Sequence, residues 1–166
     1  MDVTLRDRVA AHGAWVASLG REGRPLEQAD LDFAGADLAG VSLNGAEVPA
    51  GDFTGARLAG ADLAAANLAS AVFRRADLTR AVFVKANLDY ADLREAVLAG
   101  ANLIRASLLE ADLRGADLRG AQLARAYLVD ADLREADLRG ADLEDAQLRG
   151  ARMDGARIDA GHPSAG

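Results

Sequence analysis

The chain contains no cysteine, and that absence removes several kinds of chemistry at once. There can be no disulfide, no thiolate nucleophile and no cysteine-ligated metal. Histidine is scarce too, because the only two, His12 and His162, lie near opposite ends of the sequence. We therefore expect neither a zinc site nor a Cys-His pair. The sequence predicts a protein that is not an enzyme and that holds no cofactor and no metal.

Large apolar features are also missing. Aromatic residues make up 4% of the chain, so any core must be built mainly from small aliphatic side chains. No stretch approaches the roughly 18 apolar residues that cross a bilayer. The first residues lack the basic start and apolar segment of an export signal. We expect a soluble, cytoplasmic protein without membrane contact.

Positive charge is in deficit, and the formal net charge is −7. An acidic protein repels phosphate groups, which disfavours direct binding to DNA, to RNA or to an anionic membrane. A partner is therefore expected to be another protein, and the chain is expected to be a monomer or a weak homodimer.

A five-residue repeat is what the sequence has in abundance, as in "ADLREADLRGADLEDAQLRG" at residues 131–150. Every fifth residue from 38 to 158 is apolar, and two positions earlier the residue is Ala except at Val41 and Gly51. A period of five fits neither a helix nor a plain strand. A third geometry is required: if each unit is one side of a coil, its first and third residues point inward and the other three point outward.

This pattern resembles the pentapeptide-repeat family, whose motif is [STAV]-[DN]-[LF]-x-x, over residues 31–160. The resemblance implies an all-β solenoid, a right-handed quadrilateral β-helix of about six 20-residue coils with an N-terminal capping α-helix. In such a coil Phe33, Phe53 and Phe73 would stack directly above one another.

Three regions are predicted: a capping helix and linker at 1–25, the β-helix at 26–160 and a disordered tail at 161–166. Solenoid ends need caps, and residues 4–19 suit a helix in which Thr4 and Asp7 form a capping box. The predicted cap residues, with Trp15 sealing the first coil, are Leu5, Val9, Trp15 and Val16, and Leu19 continues the helical spacing.

Several large apolar residues occupy outward positions within about two coils of one another. Such a cluster is typical of a partner-binding patch, but β-branched and aromatic residues also suit ladder positions. Both interpretations stay open. The candidate patch consists of Val82, Val84, Tyr90, Ile104, Leu109, Tyr127 and Val129.

A second candidate surface is an acidic column formed by Asp92, Asp112 and Asp132, beside a column of arginines at 74, 94, 114 and 134. It is either a solvated charge ladder or a mimic of DNA phosphates.

The function favoured by the sequence is a non-catalytic rod that acts as a protein-protein interaction module or scaffold. The alternative implied by the resemblance is a bacterial DNA mimic that binds DNA gyrase or topoisomerase IV and confers antibiotic resistance by protecting them from quinolones or other poisons. Unlike the family members with that activity, this chain has no loop interrupting its repeats, and its acids are mixed with arginine.

Overall fold

The computed structural model describes residues 3–159. The predicted tail, 161–166, lies outside the described residues. The chain begins with one helix, α1, at Val3–Ala17. Turns and bends follow, and from Glu27 onward the backbone forms the repeating coil.

The coils are joined by parallel β-bridges between residues twenty apart, from Glu27↔Glu47 to Asp137↔Arg157. Within residues 3–159 the paired positions are single bridges and not longer strands. Main-chain hydrogen bonds connect each coil to the next; for example, the Phe33 N–H donates to the Asp52 C=O at 2.7 Å. The predicted twenty-residue period is therefore confirmed.

Each five-residue unit ends in a turn. The C=O of its third residue accepts from the N–H of the next unit's first residue, as between Phe33 and Ala36 at 2.9 Å. The fifth residue has positive φ in every unit from residue 30 to residue 155, whether or not it is glycine. A turn whose third residue has positive φ favours glycine there, so the non-glycine corners are strained.

Ala65, with φ of 55°, offers a direct test of this strain. An L-residue in the left-handed region costs roughly 1–2 kcal/mol, whereas glycine's added freedom in the unfolded chain costs about 0.5–1 kcal/mol. We expect Ala65→Gly to raise the free energy of unfolding by about 0.5 kcal/mol. The neighbouring Ala64→Gly, where φ is not positive, should lower it. Denaturant titration measures the free energy of unfolding of both variants. A decrease in both would contradict the prediction.

The core consists of the first and third residues of each unit, which are buried from Leu31 to Leu148 except for the half-buried Val41 and Ala146. Phe33 and Phe53 stack with ring centroids 4.7 Å apart, and Phe53 and Phe73 with centroids 4.6 Å apart, as predicted. Gly51 replaces alanine here because a Cβ would lie 2.8 Å from Val48 Cγ1 and 3.0 Å from Phe53 Cε2.

Helix α1 covers the first coil with Leu5, Val9 and the fully buried His12. His12 Nδ1 accepts from the Leu26 N–H at 2.9 Å, and Nε2 lies 3.1 Å from the Asn44 C=O, which sets Nε2–H as the donor. The repeat would bond the Asn44 C=O to the N–H of residue 25, but Pro25 has none. His12 thus supplies the missing donor.

The prediction for the cap was wrong in several details. Trp15 does not seal the coil; it is half-buried and stacks on the His12 ring, with centroids 5.8 Å apart. Val16 is also half-buried, and Leu19 is 88% exposed in the turn after α1. Thr4 lies inside the helix and not at its cap. The buried face follows the spacing of residues 5, 9 and 12, and a polar histidine completes it.

Candidate interaction surface

The outside of the coil has four walls, which we number by their buried central residues. Wall 1 contains Leu38 and Leu58, wall 2 Leu43 and Leu63, wall 3 Val48 and Leu68, and wall 4 Phe53 and Phe73, each continuing every twenty residues. The corner between two walls is formed by the fourth and fifth residues of a unit.

The central side chains of the described coils are almost fully buried and form one continuous apolar core. The described residues contain open clefts instead: one of about 370 Å³ between α1 and the first coil, and two of about 340 and 310 Å³ among side chains of wall 4. Within residues 3–159 no helix is long and apolar enough to span a membrane. That region also brings together no group of three metal-ligating side chains.

Six of the seven predicted patch residues reach the surface, on walls 2 and 3. Tyr90 is 54% exposed, and the others are half-buried: Val82, Val84, Ile104, Leu109 and Tyr127. Val129 is the exception, with only 3% of its surface exposed. It lies in one column between the long side chains of Leu109 and Arg149, so the prediction that it faces water was wrong. We call the six residues that reach the surface the apolar patch.

Wall 4 carries the predicted acidic column, but its carboxylates are not free. Arg94 binds Asp92 at 2.7 Å, and Arg114 binds Asp112 at 2.7 Å. Each arginine also approaches the carboxylate of the next coil, as Arg94 does to Asp112 at 3.4 Å. The side chains of Asp92 and Asp132 are only 18% exposed. The ladder of alternating charges is therefore largely neutralised within the wall.

The same carboxylates stabilise the turns. Asp112 Oδ1 accepts from the Arg114 backbone N–H at 3.2 Å, two residues ahead, and Asp or Asn elsewhere in the second position does likewise, as Asp52 does with Thr54 at 2.8 Å. This is the Asx-turn that short polar side chains favour. The repeated Asp thus has a structural role that the sequence analysis missed.

The ion pairs also shift the acidity of the carboxyl groups. A hydrogen bond from Arg134 lowers the pKa of Asp132, and one from Arg139 lowers the pKa of Asp137 to about 2. Because both pKa values lie below the ordinary value of 3.8, the associated stability is present above that value and is lost as the pH falls through the pKa of each group in the folded protein. These groups remain charged and paired at neutral pH.

Over residues 27–157 the geometry defines a parallel β-solenoid with an apolar interior and with charged side chains on its outer walls. The pentapeptide-repeat profile, with eight copies, matches residues 52–83, 81–120 and 116–155. The chain belongs to the pentapeptide-repeat family.

Solved structures of the same family resemble this chain. The pentapeptide-repeat protein alr5209 from Nostoc PCC 7120 is 35% identical over 50% of this chain and 84% of its own, with a TM-score of 0.46. A trypsin-treated form of QnrB1, a plasmid-mediated fluoroquinolone resistance protein, is 17% identical over 82% of this chain and 91% of its own, with a TM-score of 0.50. HetL from Nostoc, a protein involved in heterocyst differentiation regulation, is 28% identical over 83% and 89%, with a TM-score of 0.30. No curated protein sequence matches the chain.

Proposed function

We propose that the protein is a non-catalytic rod that binds another protein through walls 2 and 3. The apolar patch supports this most strongly. These side chains contribute to no core, because the coils beneath them are already filled by buried residues. Exposed apolar clusters of this kind commonly mark contact sites on soluble proteins.

Capture of partners tests the proposal. The immobilised protein is incubated with extract of its source cells, and bound proteins are quantified for the wild type, Ile104→Asp and Ala99→Asp. Residue 99 is the equivalent fourth position on wall 1, so it receives the same charge on a different face. We expect a defined protein whose capture falls about tenfold or more with Ile104→Asp and is unchanged with Ala99→Asp. Equal capture by all three forms would contradict the proposal.

DNA mimicry of gyrase is the second candidate function, and the net charge of −7 on an elongated repeating scaffold favours it. The pairing of Asp92, Asp112 and Asp132 with arginine opposes it, because a continuous negative stripe is what would imitate phosphates. Localisation in the cytoplasm of a bacterium is part of the same proposal.

A gyrase supercoiling assay with and without ciprofloxacin separates the two candidates. With the protein in clear excess, we expect neither inhibition nor protection of the enzyme. Changing Asp92, Asp112 and Asp132 to Asn keeps an acceptor for the turns while removing the charge. Protection that disappears in this triple variant would support mimicry and count against the patch as the main binding surface.

A further inference from the structure

A column of exposed cations runs along the corner between walls 2 and 3. It consists of Lys85, Arg105 and Arg125, one in each of three successive coils. The Lys85 N–H donates to the Ile104 C=O at 3.1 Å, which places each cation directly beside the next coil's turn. Among the residues described, Lys85 and Arg105 form no ion pair, and Arg125 meets only Asp145, at 3.3 Å.

Lys85 and Arg105 lack partners because of their neighbours in the same column. A cation at the fifth position can pair with an acid one coil away, as Arg75 does with Glu95 at 2.8 Å. The column neighbours of Lys85 are Ala65 and Arg105, and those of Arg105 are Lys85 and Arg125, so neither has an acid above or below it. Two like charges about 5 Å apart repel by about 0.8 kcal/mol even in water. Among the residues described, no ion pair relieves this repulsion at Lys85 and Arg105, and an anionic partner would remove it.

Apolar side chains flank the cations on both sides. Val84 and Ile104 immediately precede Lys85 and Arg105 on the wall 2 side, and Tyr127 lies two residues beyond Arg125 on wall 3. A partner for this corner must therefore combine a row of negative groups with apolar contacts. The overall charge of −7 disfavours nucleic acid as that partner.

The spacing of the cations along the column favours a helix over an extended strand as the segment of the partner that binds there. Successive coils are 4.6–4.7 Å apart, as the stacked phenylalanine rings show. A helix lying along the rod presents a row of side chains about every 5.4 Å. Over two coils this row moves out of register with the cations by about 1.5 Å. An extended strand repeats a face about every 6.6 Å and drifts by about 4 Å over the same distance. Flexible side chains can accommodate the mismatch of the helix but not the larger mismatch of the extended strand.

We propose that the corner between walls 2 and 3 binds a helix of a partner protein that presents a row of carboxylates, one per turn, with apolar residues beside it. The carboxylates pair with Lys85, Arg105 and Arg125, and the apolar residues cover Val84, Ile104 and Tyr127. This inference rests on the proposed function and specifies the chemistry of its partner.

A yeast-displayed library of 18-residue helices tests the inference. Each helix carries apolar residues on one face, and three positions one turn apart vary among Glu, Lys and Gln. After selection on the labelled protein, we expect Glu to be enriched over Lys in that row. Selected helices should bind the double variant Lys85→Glu, Arg105→Glu about tenfold more weakly. Lysine-bearing helices should gain affinity for the same double variant.

The control is Arg80→Glu, which reverses an exposed charge at the fifth position of another corner and should leave binding unchanged. Glu is tolerated at such corners, since Glu95 and Glu110 have φ of 57° and 53°. Failure to enrich any helix, or equal enrichment of Glu, Gln and Lys, would overturn the inference. If cellular capture still depended on Ile104 in that case, the proposed function would stand and only the helical, acidic partner would be rejected.

Discussion

A protein carrying Phe53→Ala is expected to lose about 3–5 kcal/mol of its free energy of unfolding, the usual cost of removing a buried phenylalanine ring. Phe53 is fully buried and stacks face to face with Phe33 and Phe73 on either side. The truncation therefore removes both contacts and leaves a cavity that the hydrogen-bonded coils cannot close. Chemical denaturation measures the loss.

Two leucine variants separate the contribution of ring stacking to stability from the contribution of burial. Phe83 is also fully buried, but it meets Phe73 edge-on, with centroids 6.2 Å apart, and leucine fills its column at 63 and 103. We expect Phe53→Leu to cost about 1 kcal/mol more than Phe83→Leu, because aromatic pairs contribute beyond their buried area. Equal costs would mean that the stacked geometry adds nothing to burial.

Replacement of His12 by alanine is expected to cost about 2–4 kcal/mol, since it leaves the Leu26 N–H and the Asn44 C=O without their side-chain partner. Trp15→Leu on the same helix should cost much less, because Trp15 is only half-buried. Denaturant titration compares the two. A similar loss in both variants would contradict a specific role for the histidine.

The same histidine should make the cap sensitive to acid. Burial lowers the pKa of His12 below its ordinary value of 6.5, partly offset by the hydrogen bond to Asn44. The folded protein then binds fewer protons than the unfolded chain, so stability is full above pH 6.5 and falls as the pH drops through the folded pKa. Trp15, the only tryptophan, reports the change through its fluorescence. His12→Gln should abolish the dependence; a flat profile in the wild type would disprove it.

The inward pattern could be predicted from sequence because every fifth residue is apolar and the residue two before it is almost always Ala. The square coil was predicted from the resemblance to the family. The Phe33, Phe53 and Phe73 stack followed from their spacing of twenty. The predicted number of about six coils stays a prediction.

What the sequence did not reveal depends on contacts between residues that no repeat relates. From sequence alone, His12 is an ordinary helix residue. Its role becomes visible only when the structure shows that it bonds the Asn44 C=O, which Pro25 cannot do. The burial of Val129 depends on its long column neighbours. The pairing of Asp112 with Arg114 was foreseen as interleaved columns, but its Asx-turn required the backbone. The unpaired state of Lys85 and Arg105 likewise emerges only from comparison with the Arg75–Glu95 pair in another column.

The most direct test of binding through walls 2 and 3 is site-specific photocrosslinking from one coil. A benzoylphenylalanine at residue 99, 104, 109 or 114 occupies the same fourth position on walls 1, 2, 3 and 4, respectively. In source-cell extract, we expect crosslinks to one partner from residues 104 and 109 and none from residues 99 and 114. Crosslinks confined to 114, on the paired Asp and Arg ladder, would contradict it.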